Sequence, residues 1–190
     1  MGLDERRAGD VYEPAEDSHL LATAAIERVS PADSVLDVGT GSGYVAATVR
    51  EEHGARVLGS DPNPHACRRA REHGVPTVRA DLLAPFRAET FDAVLFNPPY
   101  LPTSPADARE DWMALALSGG KTGRAVIEPF LDGVGRVLAP GGVALLLVSS
   151  LAGLDEVTAR AERNGFVHEI VATDSFPFEV LSVLELVRKP

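Results

Sequence analysis

The run Ser34-Val35-Leu36-Asp37-Val38 passes directly into Gly39-Thr40-Gly41-Ser42-Gly43, and no other stretch restricts the fold of this chain as much. An apolar strand that ends in three alternate glycines leaves bare backbone at its carboxyl end, where a helix then starts. That is a βα unit, and repeated βα units stack into an open sheet covered on both faces. The rest of the chain keeps the alternation. Strand-like runs at 56–60, 77–80, 92–96 and 143–148 are separated by helix-forming stretches at about 14–29, 43–53, 64–73, 123–138 and 153–164. Two final runs, near 166–173 and 180–188, read as an antiparallel pair around Asp174-Ser175-Phe176-Pro177. Residues 101–120 carry many prolines, acids and small side chains and read as a long loop with one or two helical turns at most. No repeat or low-complexity segment interrupts this pattern.

At 190 residues the expectation is a single domain over 1–190, with 1–30 as an N-terminal helix or lid and no separate substrate-recognition domain. No apolar run reaches bilayer length, and the start MGLDERRAGD lacks the order of a signal peptide, so a cytoplasmic protein is expected. The lone cysteine, Cys67, excludes an internal disulfide and reads as a small buried side chain in a helix. None of His19, His53, His65, His73 and His168 stands at a metal-ligand spacing.

Charge restricts the partners. The chain has 28 acids against 18 bases, and only Lys121 and Lys189 of those bases are lysines. A net charge of -10 repels phosphate backbones, which disfavours direct nucleic-acid binding unless a partner supplies a basic surface. Abundant acids with few lysines point to a salt-rich, halophilic cytoplasm, where self-repulsion is screened; a merely acidic mesophilic enzyme is the alternative.

Four successive strands place a polar residue at their carboxyl ends: Asp37, Asp61, Asp81 and Asn97. In an open α/β sheet those ends border the ligand crevice. The glycine spacing is Gly-x-Gly-x-Gly with an acid two residues ahead of it, whereas dinucleotide folds use Gly-x-Gly-x-x-Gly to seat a pyrophosphate. An acid there repels a pyrophosphate but suits a ligand carrying an ammonium and a sulfonium, which favours S-adenosylmethionine over a dinucleotide. Asp61 stands where a carboxylate accepts from ribose hydroxyls, or else caps the helix after Pro62. Asp81 is placed to accept from an adenine amino group while Leu82 covers the ring, or else is a turn residue.

Asn97-Pro98-Pro99-Tyr100 ends the apolar run Ala93-Val94-Leu95-Phe96. Pro98 forces Asn97 out of the helical region and both prolines stiffen the loop. The Asn97 side-chain oxygen and the Pro98 carbonyl then form two fixed acceptors. A planar NH2 has two hydrogens to give them, so its nitrogen is held with its out-of-plane lobe toward an electrophilic methyl. The Tyr100 ring is placed to pack on the planar group. A proline-rich turn after a strand is the plainer reading of such a pair.

Pro14, Asp17 and Ser18 share one face at helical spacing, so that Tyr12 to Ser18 forms a lid or simply a capped helix start. Gly119-Gly120-Lys121-Thr122-Gly123-Arg124 resembles a phosphate loop but lacks its leading glycine and its preceding strand, and reads as a turn and helix start. Trp112 either grips a substrate or pins its loop.

With these residues in place, the chain resembles the HemK family of glutamine methyltransferases from about Asp10 onward. Tyr12-Glu13-Pro14-Ala15-Glu16-Asp17-Ser18 and Gly119 to Arg124 resemble its short archaeal and eukaryotic branch. The resemblance implies a Rossmann-like class I S-adenosylmethionine-dependent methyltransferase fold, a seven-stranded, mostly parallel sheet with an antiparallel C-terminal pair. It implies N5-methylation of the glutamine in the Gly-Gly-Gln motif of a translation release factor. It implies cofactor contacts at Ser18, Asp37, Gly39, Asp61, Asp81, Leu82 and Asn97. Substrate binding falls to Asn97, Pro98, Pro99 and Tyr100, with Asn97, Pro98 and Tyr100 in the catalytic group. A small, often zinc-binding activator subunit of the Trm type is implied on the edge strand near Thr77 to Ala80, making a heterodimer. The acidic loop Leu101 to Ser118 departs from the family. Rival readings are an adenine-N6 methyltransferase of DNA or RNA, a protein lysine methyltransferase, and a non-catalytic subunit of the same fold.

Overall fold

The computed structural model describes residues 11–104 and 111–189. Residues 1–10, 105–110 and 190 lie outside this range, and with them Asp10 and the middle of the acidic loop. Seven strands form one sheet: β1 (Ser34–Val38), β2 (Arg56–Asp61), β3 (Thr77–Arg79), β4 (Phe91–Phe96), β5 (Leu138–Ser149), β6 (Phe166–Phe176) and β7 (Glu179–Arg188). Their order is β3-β2-β1-β4-β5-β7-β6, with the first five strands parallel and β7 antiparallel to both β5 and β6. The chain starts in the middle, winds out to β3, and returns past β1 to β4. The point where that direction reverses opens a crevice between β1 and β4.

Helices cover both faces. α1 (Glu16–Ile26), α2 (Tyr44–His53) and α3 (Pro64–Glu72) pack on one side, while α5 (Ile127–Val137) and α6 (Leu154–Arg163) pack on the other. Strand residues divide by their period of two. Val35, Leu95 and Leu145 join Leu21, Ala25 and Val49 in one core, and Leu36, Val94, Phe96 and Leu146 join Phe130, Val134 and Val157 in the other. Burial on both faces explains why these strands read as continuous apolar runs.

Several boundaries differ from the sequence expectation. α1 starts at Glu16 rather than Pro14 and ends at Ile26, where the Ala25 carbonyl accepts from both Arg28 and Val29 N–H groups. β3 stops at Arg79, although the Ala80 N–H still donates to the Asp61 carbonyl. α5 begins at Ile127, four residues later than expected, behind the turn Gly120–Thr122. β5 reaches back to Leu138, pairing it with Phe91 before an irregularity that takes in Pro140-Gly141-Gly142. The last hairpin turns at Pro177-Phe178, not at 174–177, because Phe176 pairs directly with Glu179. The long loop contains α4 (Trp112–Leu117), whose first turn is capped by the Asp111 side chain accepting from Ala114 N at 2.7 Å. Among the described residues no helix is long and apolar enough to cross a membrane.

Candidate active site

The glycine loop turns sharply from β1 into α2. Gly39, Gly41 and Gly43 all have positive φ, and at Gly43 (+84°) a Cβ would come within 3.0 Å of Ala70. Glycine is required there by both conformation and packing, since α3 crosses directly over the loop. The loop borders a cavity of about 980 Å³ at the carboxyl ends of β1, β2 and β4. Ser18, Asp37, Gly39, Asp61, Asp81, Leu82, Asn97, Pro98, Pro99 and Tyr100 all line this one cavity.

Asp37 and Asp61 are buried carboxylates at its floor. Asp37 is 3% exposed and receives the Thr40 hydroxyl at 2.6 Å. Burial, only partly offset by that bond, pushes its carboxyl up to about 7, and the nearby Asp61 adds to the rise. Asp61 does not cap α3. Asn63 is the N-cap, its side chain accepting from His65 N, and Asp61 instead accepts Asn63 N at 2.8 Å and Gly41 N at 3.0 Å. Burial raises the Asp61 carboxyl to about 6 against those two bonds. Each Asp61 oxygen keeps a further lone pair for a ligand hydroxyl. Leu82 sits beyond β3 with φ +47°, a left-handed conformation that a leucine adopts only when its surroundings hold it there.

These features fit a ligand with a ribose, a flat base and a positive charge. The buried carboxylates suit a cation and hydroxyls, and Leu82 is held at the wall. Cys67 is buried beneath them, its thiol 3.3 Å from the Asp61 carbonyl and pushed up by burial, which suits packing and not nucleophilic chemistry.

Asn97 stands at the other end of the cavity. Its Nδ2 lies 3.5 Å from Ser18 Oγ, and its Oδ1 is buried with no hydrogen-bond partner among the described residues. An orphaned buried acceptor beside a cavity is the mark of a place where a donor binds. Tyr100 packs against both hydrophobic cores, and burial, with Asp17 and Glu179 facing it, raises its phenol far above the ordinary tyrosine range. It is therefore a neutral ring and not a base.

The loop is braced from behind. Leu101 N donates to the Leu117 carbonyl and Gly119 N to the Leu101 carbonyl, at 3.0 and 2.9 Å. A Cβ on Gly123 would lie 2.6 Å from the Tyr100 carbonyl oxygen. The glycines of 119–124 thus serve close packing behind the loop, in keeping with a turn and not a phosphate site. Trp112, the first residue of α4, is buried and lines the cavity.

Pro14, Asp17 and Ser18 border the cavity together with Tyr12, although Pro14 precedes the helix. Glu13 forks onto Arg69 of α3 at 2.6 and 2.7 Å, fastening this entry segment across the glycine loop. Sequence reasoning did not single out Glu179, which also lines the cavity and accepts from Ser149 Oγ at 2.6 Å. Nothing local marks it, because it arrives from the final hairpin.

Residues 35–123 match the family model described as a methyltransferase domain. The chain is similar to a Methanocaldococcus jannaschii protein named, by assignment, as an N5-glutamine methyltransferase, at 36% identity over 98% of this chain and 96% of that protein. It is similar to the human methyltransferase HEMK2 at 31% identity, over 94% of this chain and 90% of its relative. Among solved structures it is similar to the E. cuniculi Mtq2–Trm112 complex, described as responsible for methylating the translation termination factor eRF1. That likeness has a TM-score of 0.77 and 32% identity, over 95% of this chain and 99% of the other.

Proposed function

The chain belongs to the HemK family of protein-glutamine methyltransferases, and from that premise we propose that it methylates N5 of the glutamine in the Gly-Gly-Gln motif of a translation release factor, with S-adenosylmethionine as donor. The observation that carries this reading is the unpartnered, buried Asn97 Oδ1 in a loop stiffened by two prolines. When bound, the cofactor supplies an electrophilic methyl group on a positively charged sulfur.

The chain's own residues do the rest. Asp37 faces the cofactor's positive end, Asp61 takes the ribose hydroxyls, Asp81 and Leu82 bound the adenine, and Gly39 lets the ligand lie against backbone. Ser18 closes this part of the site from the N-terminal segment. Asn97 Oδ1 and the Pro98 carbonyl hold the two amide hydrogens, while Pro99 keeps the loop rigid and Tyr100 packs on the amide plane. Fixing the nitrogen lobe toward the methyl converts an encounter into an oriented displacement. No strong base is needed: the amide proton becomes acidic as the N–C bond forms and would leave along its hydrogen bond to the loop's acceptor oxygens and on to solvent water, the raised Tyr100 phenol being unsuited to take it.

We further read the active form as a cytoplasmic heterodimer with a small Trm-type activator, with residues 1–190 acting as one methyltransferase domain and the acidic surface reflecting a halophilic archaeal source. β3 is a sheet edge and its Val78 side chain is 39% exposed, a place for strand addition. Mass spectrometry of release factor incubated with chain, activator and cofactor should find one added methyl on the Gly-Gly-Gln peptide. Label in nucleic acid, or on a lysine instead, would overturn the assignment.

A further inference from the structure

An asparagine can turn either end of its amide toward a cavity, and only the oxygen end accepts hydrogens from an incoming NH2. Rotating Asn97 by half a turn would aim a donor at a donor. Three side chains decide the matter. Asp17 accepts Ser18 N at 2.6 Å and Ser18 Oγ at 3.2 Å through Oδ1, and the Tyr12 hydroxyl at 3.2 Å through Oδ2. A carboxylate accepts and does not donate. The Ser18 hydroxyl therefore directs its one hydrogen to Asp17 and faces Asn97 with lone pairs alone. Asn97 must turn Nδ2 toward it, at 3.5 Å, which leaves Oδ1 toward the cavity without a partner among the described residues. Asp17 is 4% exposed and Ser18 7%, so water does not readily substitute in this chain of bonds.

We propose that Asp17 is a positioning residue that sets the orientation of the Asn97 amide through the Ser18 hydroxyl. The direction runs one way: carboxylate, hydroxyl, amide nitrogen, free amide oxygen. This deepens the amide-methylation reading above and rests on it. Without the carboxylate, the Ser18 hydroxyl is free to donate to Asn97 Oδ1 and so capture the oxygen the substrate needs. Asparagine at position 17 keeps an oxygen on Ser18 N–H and the hydroxyl, turning its own NH2 toward the Tyr12 oxygen, so the direction survives.

The test uses the chain with its activator, release factor as substrate and saturating cofactor. Asp17→Ala should lower kcat by about tenfold or more with KM for the protein substrate within about twofold, and Asp17→Asn should stay within about threefold of wild type. In a Ser18→Ala background, Asp17→Ala should cost at most about a third of its loss in the wild-type background, because no Ser18 hydroxyl remains to be directed and only the support Asp17 gives the Tyr12 and Tyr100 phenols is removed. Equal losses from Asp17→Ala in both backgrounds, or an Asp17→Asn as impaired as Asp17→Ala, would overturn the proposal. Orientation is also read without turnover. In wild-type protein bound to S-adenosylhomocysteine, NMR should place the Asn97 side-chain NH2 next to the Ser18 β protons. Asn97 NH2 protons remote from Ser18 would refute the relay even if Asp17→Ala fails to fold. A correct orientation with no methylated glutamine would instead count against the substrate assignment alone.

Discussion

Asp61 accepts the Gly41 amide at 3.0 Å, so the end of β2 is fastened to the glycine loop that follows β1. The same carboxylate, proposed above to take the ribose hydroxyls, would do so from a nearly water-free position. Its carboxyl is raised to about 6 and that of Asp37 to about 7, mainly by burial. Both lie above the roughly 3.9 of an unfolded aspartate, so between about pH 4 and pH 7 the native state holds protons that the unfolded chain has released. The contribution of these groups to stability therefore declines as pH rises through that window.

Cofactor binding should reverse the trend, because a cation beside Asp37 favours the carboxylate. Affinity for S-adenosylmethionine is expected to rise as pH goes from 5.5 to 7.5 and to level off above it, with proton release visible when calorimetry is repeated in buffers of different ionisation enthalpy. Asp37→Asn should raise the thermal stability of the cofactor-free protein at pH 8 by about 1 kcal/mol or more while weakening cofactor binding. A flat affinity profile would remove the buried-carboxylate argument.

Asn97→Ala deletes the acceptor and keeps the loop's prolines. We expect kcat to fall about a hundredfold or more, with S-adenosylhomocysteine affinity reduced by less than about tenfold. Wild-type turnover in this variant is incompatible with the two-acceptor geometry.

Leu82 is held at φ +47° against the cavity, so Leu82→Gly removes strain and the ring cover together. The relief, of order 1 kcal/mol, is outweighed by the extra freedom glycine gives the unfolded chain and by the loss of the partly buried side chain's packing against the core. Melting temperature should fall modestly while cofactor affinity drops severalfold. A fall in melting temperature with cofactor affinity unchanged would mean that Leu82 acts chiefly in folding.

Gly43→Ala places a Cβ 3.0 Å from Ala70 in a left-handed backbone, and should destabilise the fold by about 2 kcal/mol, read by chemical denaturation.

On the β3 edge, Val78→Lys should abolish co-elution with the activator and leave the melting temperature of the chain alone nearly unchanged, since Val78 is already substantially exposed. Retained co-elution would move the interface elsewhere, for instance to β6 at the opposite edge.

Much of the fold was legible because it is written locally. Alternating apolar runs and helix formers, a glycine-rich βα turn and a proline-stiffened loop depend on neighbours a few residues apart, and so the order of elements and the polar residue ending each strand follow from the chain directly. Boundaries shifted where a distant contact intervened, as at Leu138, drawn into pairing by Phe91, and at Phe176, paired with Glu179. Tertiary structure alone decided which groups meet. Asn97 and Ser18 are 79 residues apart, and Ser149 and Glu179 come from separate strands. Sheet order and register bring such pairs together, and no periodicity of one segment records them. The chemistry of each residue was thus set by its side chain, whereas the proposed direction of the Asn97 amide depends on a carboxylate delivered by α1, distant in sequence and adjacent only in the fold.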